Sequence, residues 1–479
     1  MNKDFKYLPK EKRKKILLIC DDMRVHSGVA TVAKEMVTNT CQHFNWVQIA
    51  GAIQHPDIGK KIDLSEETNK LSKLDDTSVI LYPTNGYGEP NIVRSLMKME
   101  KPDAIFIITD PRYFDWLFQM EGEIRKQIPI IYLNIWDDYP APLYNSAFYE
   151  SCDALLAISK QTKNINEIVL GDKVENKIIK YVPHGLNENH YFPIDKNSDN
   201  VLNMKKKFFG DDEVDFTLFF NSRNIRRKQI PDTMWAFKMF LDGLPKEKAD
   251  KCRFLLHTEI THDAGTNLEV LRELLFEKEY PNAIKFSTEK LSTVDLNLLY
   301  NITDCQILLT SNEGWGLTLT EAMLAGNPII ANVTGGMQDQ MRFIDENGKW
   351  FTPSPQIPSN NTGKYNLCGE WAFPVYPASR SIQGSPPTPY IWDDRCKPED
   401  AADRIREVYD LGSEERKEIG QKGREWALSD EAGFTAEKMS NRVINAIDEL
   451  FDTWEPRKKY EIINTSKSFK KTQTHNLVY

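Results

Sequence analysis

The chain is expected to be an α/β protein made of two doubly wound parallel-sheet domains. Three observations carry that expectation. Short apolar runs alternate with helix-like segments along most of the 479 residues, the pattern of parallel sheets covered on both faces. The alternation stops at a polar, charged stretch, 195–213 (DKNSDNVLNMKKKFFGDDE), and restarts at 216. The length also exceeds what one hydrophobic core ordinarily organises.

The first domain is expected to span 1–195, with buried strands at 15–20 (KILLIC), 47–52, 78–82, 104–108, 128–133 and 154–158. After KILLIC comes DDMRVHSGVATVAKEM, where Ser27-Gly28 marks strand giving way to helix. Gly28 either brings backbone amides close to a phosphate or sugar or makes an ordinary tight turn; the spacing is not GxGxxG. Ligands of such sheets sit beyond the carboxyl ends of the strands. Three polar clusters fall there: 109–112 (TDPR), 134–138 (NIWDD) and Ser159-Lys160. Asp110, Asp137 and Asp138 are candidate acid/base or hydroxyl-binding groups, the alternative being helix caps. Asp110, at a strand end, is weighted towards function. In YVPHG (181–185), His184 is either a ligand or proton carrier or a structural turn histidine.

The second domain is expected to span 196–434, with strands at 216–220, 253–257, 284–287, 305–309 and 328–331. NSRNIRRKQIPD follows the first of these, so Arg223 and Lys228 are expected to face the crevice, where guanidinium and ammonium neutralise a diphosphate. Arg226 and Arg227 are expected to face solvent. The run 311–336, SNEGWGLTLTEAMLAGNPIIANVTGG, places Glu313 in a turn and Glu321 eight positions on, in a helix. Gly314 and Gly316 are expected to let the backbone approach a ligand, and the helix dipole favours an anion at its start. Carboxylates suit hydroxyls and amides suit phosphate, so this stretch is suited to a sugar joined to a phosphate.

From 352 to 398 the pattern breaks into Pro, Gly, Ser and aromatic residues, expected to form a long, ordered, functional insertion. A last helix at 435–455 buries one face through Met439, Val443, Ile447 and Leu450. A basic tail, 456–479, follows.

Composition narrows the class. The net charge of −9 argues against a general nucleic-acid binder, although 10–15, 205–207, 226–228 and the tail are basic. No apolar run reaches membrane-spanning length. Seven cysteines without CxxC spacing fit a reduced, cytoplasmic protein with no metal site.

The run EGWGLTLTEAMLAGNPIIA (313–331) resembles the Glu-x7-Glu signature of retaining GT-B glycosyltransferases, family 4 especially. SRNIRRK resembles that family's Arg-x4-Lys phosphate motif. YVPHGLNENHYFP, CDALLAISKQT and SGVATVAKE resemble its further motifs, in the expected order from about 14 to 455. The run NIWDDYPAPLYNSAFYESCD resembles phage-encoded members, some of which glycosylate hydroxymethylated bases in DNA.

The resemblance implies two Rossmann-like domains with a C-terminal helix packing back, and a UDP-sugar as the expected donor, with no other cofactor. It implies that Glu321 binds ribose and Glu313 the donor sugar, with the backbone of Trp315, Gly316, Leu317 and Thr318 near sugar and diphosphate. Arg223 and Lys228 would stabilise the leaving diphosphate without metal, and Gly28 would close on it from the other domain. The implied acceptor is a carbohydrate or modified DNA. Ser222 stands where relatives often carry glycine, and Asp110 near where many carry a histidine. A sugar-nucleotide epimerase or phosphorylase on the same fold, or a binding scaffold without catalysis, are the competing classes.

Overall fold

A computed structural model describes residues 7–52, 54–354 and 360–458. The first sheet contains β1 (Lys14–Asp21), β2 (Phe44–Ala52), β3 (Ile62–Asp63), β4 (Val79–Asn85), β5 (Ala104–Ile108), β6 (Ile130–Asn134), β7 (Ala154–Ala157) and β8 (Ile178–Tyr181). Their order is β3-β4-β2-β1-β5-β6-β7-β8; only β3 runs antiparallel to its neighbour among the described residues. The central strands are buried on both faces, as β1 shows from Ile16 to Cys20. That is why they read as unbroken apolar runs rather than alternating ones.

The second sheet contains β9 (Phe216–Asn221), β10 (Cys252–His257), β11 (Ile284–Ser287), β12 (Cys305–Leu308), β13 (Ile329–Asn332) and β14 (Ala372–Val375), ordered β11-β10-β9-β12-β13-β14. All its described pairings are parallel. In both sheets the order reverses beside the first strand of the domain, and the carboxyl ends there open towards the other domain, where ligand crevices form.

The stretch 352–398 is not the loop expected. Ala372–Val375 is the edge strand β14, and Ser379–Ser385 with Thr388–Arg395 form an antiparallel hairpin, β15 and β16. Pro374 hid β14, because proline inside a strand signals its absence; on an edge, with one side unpaired, it is tolerated. The hairpin escaped notice because most of β15 is exposed on both faces, leaving no apolar alternation to read.

The last helix, Ala436–Thr453, is capped by Thr435 and packs on the first domain against the helix Gly28–Thr40. His43 meets Asp448 at 3.0 Å and Lys180 meets Glu449 at 2.7 Å. Gly185 is required at this crossing, since a Cβ there would strike the Thr435 carbonyl. The basic tail from 459 onward lies outside the described residues. Among the described residues no helix is long and apolar enough to cross a membrane.

Candidate functional site

The site is built on the turn between β12 and the helix Leu317–Leu324. Gly316, with φ of 87°, precedes that helix in the left-handed region, a conformation natural for a residue without Cβ. The turn presents Glu313, and β9 supplies its partners. Beyond β9 the chain folds into a tight 3-10 turn, Arg226–Lys228, fixed by Gln229 at φ 51°. This turn sends Lys228 onto Glu313 Oε2, and Arg227 Nη1 reaches the same oxygen at 2.9 Å and the Asn312 carbonyl at 2.7 Å.

Arg227 is therefore a member of the cluster and not the solvent-facing neighbour expected. In a 3-10 turn consecutive side chains are about 120° apart, so adjacent Arg227 and Lys228 can converge while Arg226 stays exposed. Arg223 is not part of it: its guanidinium is exposed, with Nη2 3.4 Å from His262 Nε2.

Burial works to raise the Glu313 carboxyl, but the Lys228 and Arg227 charges outweigh it and hold the group at about 2. Burial lowers Lys228 despite Glu313 beside it. Both side chains are largely enclosed, at 13% and 10% exposure. The result is a carboxylate fixed in its charged form with two cations on one oxygen, a set that can exchange its ion pair for an incoming phosphate.

The first domain closes on this turn through glycine. A Cβ on Gly314 would lie 2.7 Å from the Ile135 carbonyl, and one on Gly335 would collide with the Glu313 carbonyl. Gly314 therefore serves the close approach of the two domains rather than that of a ligand. Gly28, heading its own helix, lies opposite Leu317, with 3.3 Å between its Cβ position and Leu317 Cδ1. Two helix amino-termini thus face each other across the crevice, each favouring negative charge between them.

At the end of β5, Thr109 takes φ of 103°, a strained value for a β-branched residue and of the kind concentrated at functional sites. It presents Asp110, which caps the turn Pro111–Phe114 and pairs with the Arg112 guanidinium. Asp110, Arg112 and Asp137 line a cavity of ≈ 390 Å³ that reaches Asn312 of the Glu313 turn. Burial raises the Asp137 carboxyl, with Arg227 opposing and Glu313 reinforcing that shift. Asp138 is instead a joint residue: Tyr139 N donates to it at 2.7 Å and Thr334 Oγ1 lies 3.1 Å away.

Glu321 lies apart from Glu313, one turn into the helix and buried. Tyr300 donates to its Oε2 at 2.6 Å, Asn221 to the same oxygen at 3.3 Å, and Tyr191 to Oε1 at 3.2 Å. A carboxylate offers about four lone-pair sites, so a hydroxyl can still be accepted. Trp315 is 2% exposed, its indole donating to Thr320 and packing on Phe434; only its backbone can meet a ligand. His184 packs beside Trp315, and its Nδ1 has no hydrogen-bond partner among the described residues. Burial lowers this imidazole to about 3, so it stays neutral and cannot carry a proton near neutral pH. Sequence reasoning also missed Tyr300, Tyr191 and Asn221 as holders of Glu321, since buried polar partners leave no local pattern.

Residues 263–357 match the family model described as Glycosyl transferases group 1. The mannosylfructose-phosphate synthase of Agrobacterium fabrum is 23% identical over 194 residues, 40% of this chain and 39% of that protein. The alpha-monoglucosyldiacylglycerol synthase of Acholeplasma laidlawii is 27% identical over 213 residues, 42% of this chain and 49% of that protein. The match thus spans less than half the length of either curated relative. Solved structures align over nearly the whole chain. Sucrose-phosphate synthase from Thermosynechococcus elongatus superposes at TM-score 0.64 with 13% identity, over 92% of this chain and 100% of that one. The fold is GT-B. A glycosyltransferase from Rickettsia africae (TM-score 0.63, 14% identity, 92% and 100% coverage) shares this architecture. So does Anabaena HepE in complex with UDP and glucose (0.62, 12%, 91% and 100%). At these identities the likeness speaks for the GT-B fold alone, and the chemistry rests on the side chains.

Proposed function

We propose that the chain is a retaining glycosyltransferase that moves a sugar from a nucleoside-diphosphate sugar, a UDP-sugar first among them, to an acceptor hydroxyl. The observation that carries this reading is Glu313 held between Lys228 and Arg227 on a turn whose following helix starts at Leu317, opposite Gly28 across the domain crevice. In this reading the donor diphosphate lies between the helix amino-termini and takes over Lys228 and Arg227, with Arg223 close enough in sequence to swing in. Glu313, released from the ion pair, accepts from the sugar hydroxyls, and Glu321 accepts from the ribose. The bond from the anomeric carbon to the diphosphate breaks, and negative charge grows on the leaving group. Fixed cations and amides stabilise that charge more than they stabilise the ground state, so the proposed reaction does not call on a divalent ion. The acceptor oxygen attacks from the face the diphosphate leaves, and its proton passes to the departing phosphate. Anabaena HepE, which has the same fold and was solved in complex with UDP and glucose, supports the donor class.

Thermal shift with UDP-glucose, UDP-galactose and GDP-mannose tests the donor. Lys228→Ala and Glu321→Ala should abolish transfer while circular dichroism stays native. Unchanged turnover in either variant would overturn the reading.

A further inference from the structure

The hairpin β15–β16 belongs to the second domain by sequence but spans the crevice. Asp394 N donates to the Ser311 carbonyl at 3.1 Å and Arg380 Nε to Asp394 at 2.6 Å, which roots it beside the donor turn. Its far end lies on the first domain. Trp392 N donates to the Tyr139 carbonyl at 2.8 Å, Tyr144 OH to the Tyr390 carbonyl at 2.9 Å, and Arg112 to Thr388. The Tyr144 and Tyr390 rings meet edge-on at 4.8 Å.

The ≈ 390 Å³ cavity lies beneath this strap, walled by both domains and roofed by Gln383, Ser385 and Thr388. It touches the donor turn at Asn312, the residue before Glu313, so a molecule in it would lie beside the sugar to be transferred. Its volume is at the small end of the ~300–1,000 Å³ typical of ligand pockets. The lining mixes Ile135, Ile391 and Pro111 with amides and hydroxyls, matching a ring with apolar and hydroxylated faces. Arg112, the one cation in the lining, is taken up by Asp110 and Thr388. Asp137 adds a carboxylate that accepts from hydroxyls and repels phosphate.

We propose that the hairpin 379–395 completes an acceptor pocket for a small, uncharged, hydroxyl-rich ring, such as a free monosaccharide. This inference rests on the glycosyltransferase reading. The strap selects against phosphorylated sugars, polymers and DNA, because each brings phosphate charge or a chain that must pass beneath it.

The test uses the full chain, the nucleotide-sugar that raises its melting temperature most in the panel above, and acceptors supplied in parallel. These are glucose, fructose, glucose 6-phosphate, dextran and a hydroxymethylcytosine duplex, with products read by mass. Transfer to a free monosaccharide should exceed that to each of the other three by about tenfold or more. Ser385→Trp, at the exposed end of β15 and away from the core, should raise the monosaccharide KM about tenfold and leave the Kd for the donor unchanged. Preference for the phosphorylated sugar, dextran or the duplex, or an unaltered KM in Ser385→Trp, overturns the inference while leaving the donor reading standing. Failure of every nucleotide-sugar to bind removes both.

Discussion

Replacing Glu313 by Gln and Lys228 by Gln should move UDP affinity in opposite directions. Glu313 is held at about 2 against the usual 4.5, a difference of about 3 kcal/mol at 1.36 kcal/mol per pH unit. That energy ties Lys228 to its carboxylate in the nucleotide-free protein, and a diphosphate must break the tie. Glu313→Gln removes the competitor, so UDP, which carries no sugar, should bind roughly 10- to 150-fold tighter, the upper bound being that same energy expressed as a ratio. The preference for UDP-glucose over UDP should shrink in this variant, because the carboxylate that accepts from sugar hydroxyls is gone. Lys228→Gln removes a charge-assisted contact of about 1.5–3 kcal/mol, so UDP should bind roughly 10- to 150-fold more weakly. Glu313→Gln also leaves Lys228, at 10% exposure, without its carboxylate, so a lower melting temperature should accompany the tighter binding. Isothermal titration with UDP and UDP-glucose near pH 7 and at low ionic strength decides between the signs. If both variants weaken UDP alike, the ion pair is not a gate on the phosphate site and the reasoning fails.

Three further outcomes are expected. Burial raises the Asp339 carboxyl to about 6 from 3.8 despite Lys160 nearby. The native state therefore holds this proton more tightly than the unfolded chain; the stability it contributes is complete below about pH 4 and is lost as pH rises through 6, about 3 kcal/mol in all. Melting temperatures of Asp339→Asn should accordingly lack the decline between pH 4 and 6 that the parent shows, since Asn can still accept from Lys160 N and Tyr181 OH. Gly335→Ala combines φ of 53° with a Cβ driven into the Glu313 carbonyl, and should cost several kcal/mol and UDP binding. Gly348→Ala, with positive φ but nothing within 4 Å, should cost only about 1 kcal/mol by denaturation. Arg380→Ala takes the guanidinium from buried Asp394, and limited proteolysis should then cut within 379–395 while the parent resists.

How legible this was depended on burial. A strand closed on both faces, such as Ala104–Ile108, announces itself as an apolar run whose ends the sequence shows directly. β14 and the hairpin do not, because an edge strand tolerates Pro374 and a strap in solvent needs no apolar face. In the site, the pairing of Lys228 with Glu313 follows from strand ends meeting at the crevice. Arg227 could not be separated from Arg226 without the 3-10 turn that divides them. Gly314 carries a true signal of close approach, but a sequence does not name the partner; here it is the other domain's backbone, at the Ile135 carbonyl. Asp110 reads as an acid/base or hydroxyl-binding candidate with a helix cap as the alternative; it does cap the turn that follows, and Arg112, two residues on and in plain view, is its counterion.

The joint between the domains obeys the same logic of satisfied charge, and it explains why the strap and the crevice form one structure. Thr334 Oγ1 lies 3.1 Å from Asp138 Oδ2 and 3.2 Å from Asp394 Oδ2. A hydroxyl has one proton to donate, so it cannot serve two carboxylates; one of the two contacts needs a proton from the carboxyl itself. Burial, reinforced by the nearby Asp394, raises the Asp138 carboxyl well above its usual range, which favours a proton there. It then donates to Thr334, Thr334 donates to Asp394, and Asp394 faces the Arg380 guanidinium. The chain of donors runs from the first domain through β13's following loop to the hairpin, with one negative charge matched by one positive charge. Two unprotonated carboxylates would repel across that hydroxyl in a buried setting, where an unpaired charge is most costly. A proton on Asp138 would therefore be part of what holds the strap over the cavity.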